Sequence, residues 1–482
     1  MTKSEHLPPS ALKRPKTVSI ISLGCPKNLV DSESMLGRLA AAGYAFANLP
    51  TLPTLENSVE DHSPRTDLVL LNTCGFLESA RCEAFAEIAR LLEAKRAGSI
   101  GQIAVCGCLI PAVGASLREK FPEVDFWFGP FDEPRLVPIV SQAPSEPPFD
   151  HVFYHTPKKR LEFFDDERFR LTVPHTAYLK IADGCDRFCS YCAIPNIRGR
   201  FVSKPLAVIL DEARRLADSG VRELVLIAQE TTFWGADSDG TPRLAELLAK
   251  LRCVGGFDGI RVLYAYPLFM GDDLLEQFGF EKAGAGESPI LPYIDLPLQH
   301  ASDRILRAMN RRVDRAQTEE LLARLREKIR DLVLRTTFIV GFPGETEAEF
   351  AELVAFVKKW RFERAGVFEF SPEPGTAAAQ LDGRVPAEIS RRRFRKLETV
   401  TKKCAERFAR SRIGTKTDVL IDEPICDEQG NPLSDFWLGR SWTDSPDIDP
   451  RVFVTGEGFA PGDKVPCEIV AAEGSDLVAV PF

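Results

Sequence analysis

Cys185, Cys189 and Cys192 stand in the run GCDRFCSYC, a CxxxCxxC spacing directly after a predicted strand. Three thiolates from one loop can hold three corners of an iron-sulfur cube and leave the fourth iron without a protein ligand. A structural zinc site normally takes four protein ligands, and no nearby His or Cys offers an obvious fourth. An open iron could accept a substrate or cofactor; a zinc site and three unrelated cysteines in a turn are the alternatives.

Cys25, Cys74 and Cys108 form a second, dispersed set in LGC, NTC and CGC. Each lies at or just beyond the C-terminal end of a predicted strand, and in a parallel sheet those ends share one edge, where open α/β folds bind ligands. Spacing alone carries this weakly. Cys106 competes for the third position, because residues two apart on a strand face the same way. Cys108 fits better: it follows a glycine, as Cys25 does, and sits past the strand end. Cys82, Cys253, Cys404, Cys426 and Cys467 lack ligand-like company and read as small hydrophobes.

These residues must be positioned by α/β elements. From KTVSIISLGC to SIGQIAVCGCL, strands alternate with helical stretches, which predicts a doubly wound N-terminal α/β domain over 16–145. The proline-rich and polar stretch 141–160 suits a linker. From Thr176 the alternation restarts six times, in AYLKIADGC, ELVLIAQETT, GIRVLYAY, PYIDLPLQH, LRTTFIVGFPG and GVFEFSP, predicting a central partial (βα)6 barrel over 171–410 with its site at the strand C-terminal ends. Short strands such as TDVLIDE, RVFVTGE and KVPCEIVAA then predict a small antiparallel β-barrel over 413–482.

The chain has 482 residues, 44% hydrophobic and 27% charged, the balance of a soluble protein with more than one core. No run of about eighteen apolar residues appears, and the first fifteen residues read as a mobile tail without a secretory h-region, so a cytoplasmic protein with no membrane partner is expected. Twelve cysteines in that reducing setting favour metal binding over disulfides. The formal charge of −9 is uneven: residues 413–482 hold four basic and fourteen acidic residues, a balance of −10. Such a segment suits a basic protein partner better than phosphates.

The CxxxCxxC spacing with Tyr191 before its last cysteine resembles the radical S-adenosylmethionine signature. The resemblance implies that the methionine moiety chelates the open iron and that one-electron cleavage yields a 5′-deoxyadenosyl radical, able to take hydrogen from an unactivated carbon. SLGCPKNLVDSE, NTCGF and GCL further resemble the N-terminal domain of the methylthiotransferases, and the similarity runs from about Thr17 to the C-terminus. It implies a second 4Fe-4S cluster on Cys25, Cys74 and Cys108, a terminal TRAM domain with an OB-like barrel, and no catalytic side chain beyond the cluster ligands. Gly24 to Asn28, DLPLQHAS and RTTFIVGFPGET resemble the branch that modifies an aspartate of small-subunit ribosomal protein S-twelve. That branch implies a methylthio group on the aspartate β-carbon, with sulfur and electrons from external donors. The acidic terminal domain argues against nucleic acid as the modified substrate. The rivals are methylthiolation of a transfer RNA adenosine and a non-enzymatic iron-sulfur carrier or RNA-binding module.

Strand-end position nominates Gln229, Glu230, Gln299 and His300 to bind S-adenosylmethionine, with structural hydrogen bonding as the alternative. Gly341 could let backbone approach the adenosine, and Tyr191 could lie beside the adenine. The basic run Arg391 to Lys396 reads as a solvated helix face, and the aromatics of WGAD and FWLGRSW as packing.

Overall fold

The computed structural model describes residues 16–48, 65–141, 152–153, 163 and 167–482. The N-terminal tail and nearly all of the expected linker lie outside them. The described residues up to 153, with 167–169, form one compact unit, and 170–482 belong to a second.

The first unit is a six-stranded parallel sheet of β1 (Thr17–Ser22), β2 (Ala45–Phe46), β3 (Thr66–Thr73), β4 (Ile100–Gly107), β5 (Phe126–Phe128) and β6 (Val152–Phe153), in the order β2-β1-β3-β4-β5-β6. Both faces of its central strands are apolar. Val69 and Leu71 of β3 pack with Ala84, Ile88 and Leu91 of the helix Glu78–Arg96. Leu68 and Leu70 pack on the opposite side with Met35, Leu36 and Leu39 of the helix Pro26–Ala41. Helices on both faces make the sheet doubly wound, and the winding reverses between β1 and β3, a switch point of the kind that hosts ligands. β6 pairs with β5 although it lies beyond residue 145 and inside the expected linker, where proline and polar neighbours hide a two-residue strand.

In the second unit, β7 (Thr176–Lys180) leads to a short hairpin of β8 (Ala182–Asp183) and β9 (Val202–Ser203). It then continues through β10 (Glu223–Ile227), β11 (Gly259–Val262), β12 (Ile290–Asp295), β13 (Val333–Val340) and β14 (Arg364–Glu369). The sheet β7-β10-β11-β12-β13-β14 is parallel and open, as six successive βα units predict. Leu179, Leu224, Leu226, Ile260, Val262 and Leu334 face one apolar core with the covering helices. Alternate residues Tyr178, Arg261, Tyr293 and Arg335 therefore stand on the other face.

The helix Ala387–Arg412 connects to a closed barrel of β15 (Lys416–Cys426), β16 (Pro432–Arg440), β17 (Val452–Thr455), β18 (Lys464–Glu473) and β19 (Asp476–Pro481), ordered β15-β16-β17-β19-β18. Four pairings are antiparallel, and β17–β19 is parallel. Val419, Ile421, Trp437, Val454 and Ile469 fill its interior. The barrel is seated on the parallel sheet by buried polar contacts. Arg440 reaches Asp422, Glu223 and Thr176, Arg364 reaches Asp444, and Tyr293 donates to Asp449. No described helix is long and apolar enough to cross a membrane.

Candidate functional site

Cys25, Cys74 and Cys108 follow β1, β3 and β4, three adjacent strands on either side of the switch point. Their loops are tied together. Cys108 N–H donates to Thr73 O at 2.9 Å, and Asn28 Nδ2 reaches both Leu23 O at 3.2 Å and Thr73 O at 3.0 Å. Cys108 Sγ lies 3.5 Å from Asn28 Oδ1. Gly24, at φ +95°, lets the first loop close: a Cβ there would stand 2.8 Å from Cys74 Cβ and 3.5 Å from its Sγ. Residues far apart in sequence thus meet at one sheet edge. Cys106, the competitor, points into the core beside Leu68, Leu70 and Ala104, its thiol pushed up by burial and by Asp31, Glu133 and Cys108.

The second triad occupies the loop between β8 and β9. Cys192 N–H donates to Cys189 O at 3.0 Å and Cys185 N–H to Gly199 O at 3.2 Å, so the loop is closed at both ends. Phe188 holds φ +50°, which is costly for a residue with a side chain, and Asn310 Nδ2 fixes its carbonyl at 2.8 Å. Ser190 is bonded to Met309 O and Ala308 O. Burial first, with Glu230 and Cys189 adding negative charge against a backbone N–H of Arg187, pushes the Cys185 thiol up to about 12. Burial and then Cys189 push Cys192 up as well. With burial raising both thiols, Cys185 and Cys192 need a neighbouring cation to ionise, which fits an iron centre. Among the described residues no three His, Cys, Asp or Glu converge on a single ion site. A cube makes no such demand, since each thiolate binds a different iron.

Around this loop the strand-end candidates divide. Gln229 donates through Nε2 to Asp183 Oδ1 at 3.2 Å, while its Oε1 is buried without a partner. Gln299, at φ +74°, bridges to β13 through its backbone, and its Oε1 is likewise buried and unpartnered. Two orphaned amide oxygens at strand ends suit a polar ligand with hydrogen-bond donors. Glu230 is committed to Arg187 and to Thr232 Oγ1, its carboxyl raised by burial against those partners. His300 lies 3.3 Å from Glu345 Oε1 and accepts from Ser302 N–H, in a structural network. Tyr191 packs against Ile305, Met309, Phe342 and Ala378. Gly341 N–H donates to Glu345, and a Cβ there would overlap Ser390 Oγ, so the close approach at this glycine is to the helix Ala387–Arg412.

Three sequence families match in succession: Uncharacterized protein family UPF0004 over 17–129, the Radical SAM superfamily over 179–357 and the TRAM domain over 413–481. The ribosomal protein uS12 methylthiotransferase RimO of Desulforamulus reducens is 39% identical over 466 residues, covering 96% of this chain and 98% of the relative. The protein of that name from Syntrophus aciditrophicus is 40% identical over 481 residues, covering 97% and 98%. The chain belongs to the RimO methylthiotransferase family. The fold of this family member is also similar to that of the radical S-adenosylmethionine methyltransferase TsrM from Kitasatospora setae, at TM-score 0.50 and 14% identity over 76% of this chain and 74% of that one.

Sequence reading missed Asp183, Arg187 and Arg311. Asp183 is fully buried and gathers Lys180, Arg198 and Gln229. Arg187 lies within the cysteine run, stacked on Phe233 and Phe269 at 4.3 and 4.8 Å. Its position between two predicted ligands was the available signal; nothing in the spacing marks Asp183 or Arg311.

Proposed function

We propose that this RimO family member is a cytoplasmic radical S-adenosylmethionine methylthiotransferase that places a methylthio group on the β-carbon of an aspartate of ribosomal protein uS12. The observation that supports it most is the presence of two cysteine triads, one in a single loop and one gathered at the switch point of a separate sheet. One triad suffices to generate a radical; a second gives the reaction a place to hold the sulfur that is inserted.

In this reading Cys185, Cys189 and Cys192 hold one 4Fe-4S cluster, and Cys25, Cys74 and Cys108 the other. When bound, the first with S-adenosylmethionine supplies a radical that removes a hydrogen atom from carbon, and the second supplies the place where sulfur is held for transfer. The protein's own residues then position and exclude. Gln229 and Gln299 offer acceptors to the cofactor's amino or ribose groups. Asn310, Met309 and Ala308 hold the cysteine loop in its strained shape, and the apolar packing of Tyr191 keeps water from one side. No side-chain nucleophile is required. The terminal barrel presents Glu423, Glu428, Asp435 and Glu457 on its exposed surface, a field suited to a basic ribosomal protein. Sulfur and electrons come from external donors.

The test is anaerobic reconstitution with iron and sulfide, addition of reductant and S-adenosylmethionine, and mass spectrometry of recombinant uS12 and of transfer RNA. A methylthio group on an aspartate, lost in Cys189→Ala and Cys74→Ala, is expected. A modified adenosine would reverse the substrate assignment, and no modification with no 5′-deoxyadenosine from fully loaded protein would refute the enzyme.

A further inference from the structure

Arg311 is 8% exposed, and among the described residues it forms no ion pair with a carboxylate. A buried guanidinium without a hydrogen-bonded carboxylate is costly; Glu230 feels the Arg311 charge but is bonded to Arg187, so further negative charge beside Arg311 would be stabilising. The neighbouring Arg187, equally buried, shows the ordinary solution by pairing with Glu230. Arg311 points instead at the cysteine loop: Nη1 lies 3.9 Å from Cys189 Sγ, Nη2 donates to Pro297 O at 2.5 Å, and the guanidinium lies 4.3 Å from the Tyr266 ring centroid. Its backbone is fixed too. The helix Asp303–Ala308 ends at Met309, Asn310 turns the chain at φ +55°, and Arg311 N–H donates to Leu306 O at 2.8 Å. The same turn grips Phe188 O and Ser190, so the charge and the loop it faces are held as one piece.

We propose that Arg311 is a positioning residue that sets the reduction potential of the cluster held by Cys185, Cys189 and Cys192, an inference that rests on the cluster reading above. Reduction adds one electron and no proton, drawn from a low-potential one-electron carrier or a chemical reductant such as dithionite, and leaves the cluster one unit more negative. A fixed positive charge that also donates an N–H to a ligand sulfur stabilises that reduced form over the oxidised one. Removing the charge must therefore make the cluster harder to reduce.

The experiment uses the full chain with Cys25, Cys74 and Cys108 changed to Ala, so that only one cluster signal remains. Arg311→Met and Arg311→Lys are made in that background, reconstituted, assayed for iron and titrated with dithionite while the reduced cluster is followed by electron paramagnetic resonance. At the midpoint of the parent, Arg311→Met should show about a tenfold lower ratio of reduced to oxidised cluster, equivalent to about 59 mV for a one-electron couple. Arg311→Lys should recover most of it. Only loaded protein gives the signal, so incomplete loading of one variant does not blur the midpoint. 5′-Deoxyadenosine formation by Arg311→Met should fail with a weak reductant and return with a stronger one, a split that a structural role would not produce. An unchanged midpoint in Arg311→Met overturns the role of Arg311. A parent that holds no iron and gives no cluster signal overturns the cluster reading instead.

Discussion

Replacing Arg440 by Met should unseat the terminal barrel. Arg440 is 5% exposed and donates to Asp422 at 2.8 and 3.0 Å, to Thr176 Oγ1 at 3.0 Å and to Glu223. Methionine fills much of the space but supplies no charge. Glu223 would keep Arg261 at 2.9 Å, and Asp422 would keep His175 at 2.8 Å, leaving two buried carboxylates with one certain cation between them. Breaking a buried pair from one side costs about 3–5 kcal/mol. At about 1.4 kcal/mol per tenfold, opening of the seat should become more frequent by roughly two to three and a half powers of ten. Hydrogen exchange read by mass spectrometry would show this in the peptide 441–450, whose N–H groups at Ser441 and Ser445 are bonded to Asp444 and Asp449. Exchange in β3 and β4 should not change. Adding Asp422→Asn should recover part of the loss, because it removes the carboxylate left without a guanidinium, while Glu223 keeps Arg261. Unchanged exchange in the 441–450 peptide of Arg440→Met would refute the argument that this network holds the barrel in place.

Cys108→Ser should lower the iron content from about eight to about four per chain, whereas Cys106→Ser, a core position, should leave it unchanged; iron analysis of reconstituted protein decides between them. Gly341→Ala should destabilise by about 1–3 kcal/mol, because φ is +74° and the new Cβ meets Ser390, and Ser390→Gly should relieve part of it in thermal unfolding. Glu349 is held down to about 2: burial opposes this, but bonds from Arg304, Thr346 and Ser302 outweigh it. Its contribution is therefore present above the unfolded value of about 4.3 and lost as pH falls toward 2. The difference in thermal midpoint between the parent and Glu349→Gln should accordingly shrink steadily below about pH 4.

The parallel strands were legible because each is a short, almost wholly apolar run with a turn signal at both ends, and the cysteines were legible because they follow those runs. The choice of Cys108 over Cys106 rested on strand-end position; in the structure Cys106 packs in the core beside Leu68, Leu70 and Ala104. β16 was hidden, because PLSDFWLGR carries polar and turn residues on its outward side; only Trp437, Gly439 and Arg440 of its second half are buried. β19 was not read as a strand, and its parallel pairing with β17 has no local signature at all. Charge counting misled in part. Asp422 and Asp444 are buried against the sheet and Asp449 nearly so, which removes three carboxylates from the surface that a partner would meet. Arg393, read as part of a solvated face, is 4% exposed and bound to Glu345. Phe436, read as packing, is 46% exposed, whereas Trp234 and Trp437 are buried. Sequence periodicity tells which side of an element is apolar, but not which charged residues another domain will cover.

The radical is expected to remove hydrogen from the β-carbon of an aspartate in uS12. Recombinant uS12 labelled with deuterium at aspartate β-carbons would be incubated with reconstituted enzyme, S-adenosylmethionine and reductant, and the 5′-deoxyadenosine analysed by mass spectrometry. Deuterium appearing in 5′-deoxyadenosine in proportion to methylthiolated protein is the predicted result. Methylthiolated product accompanied by unlabelled 5′-deoxyadenosine would contradict it.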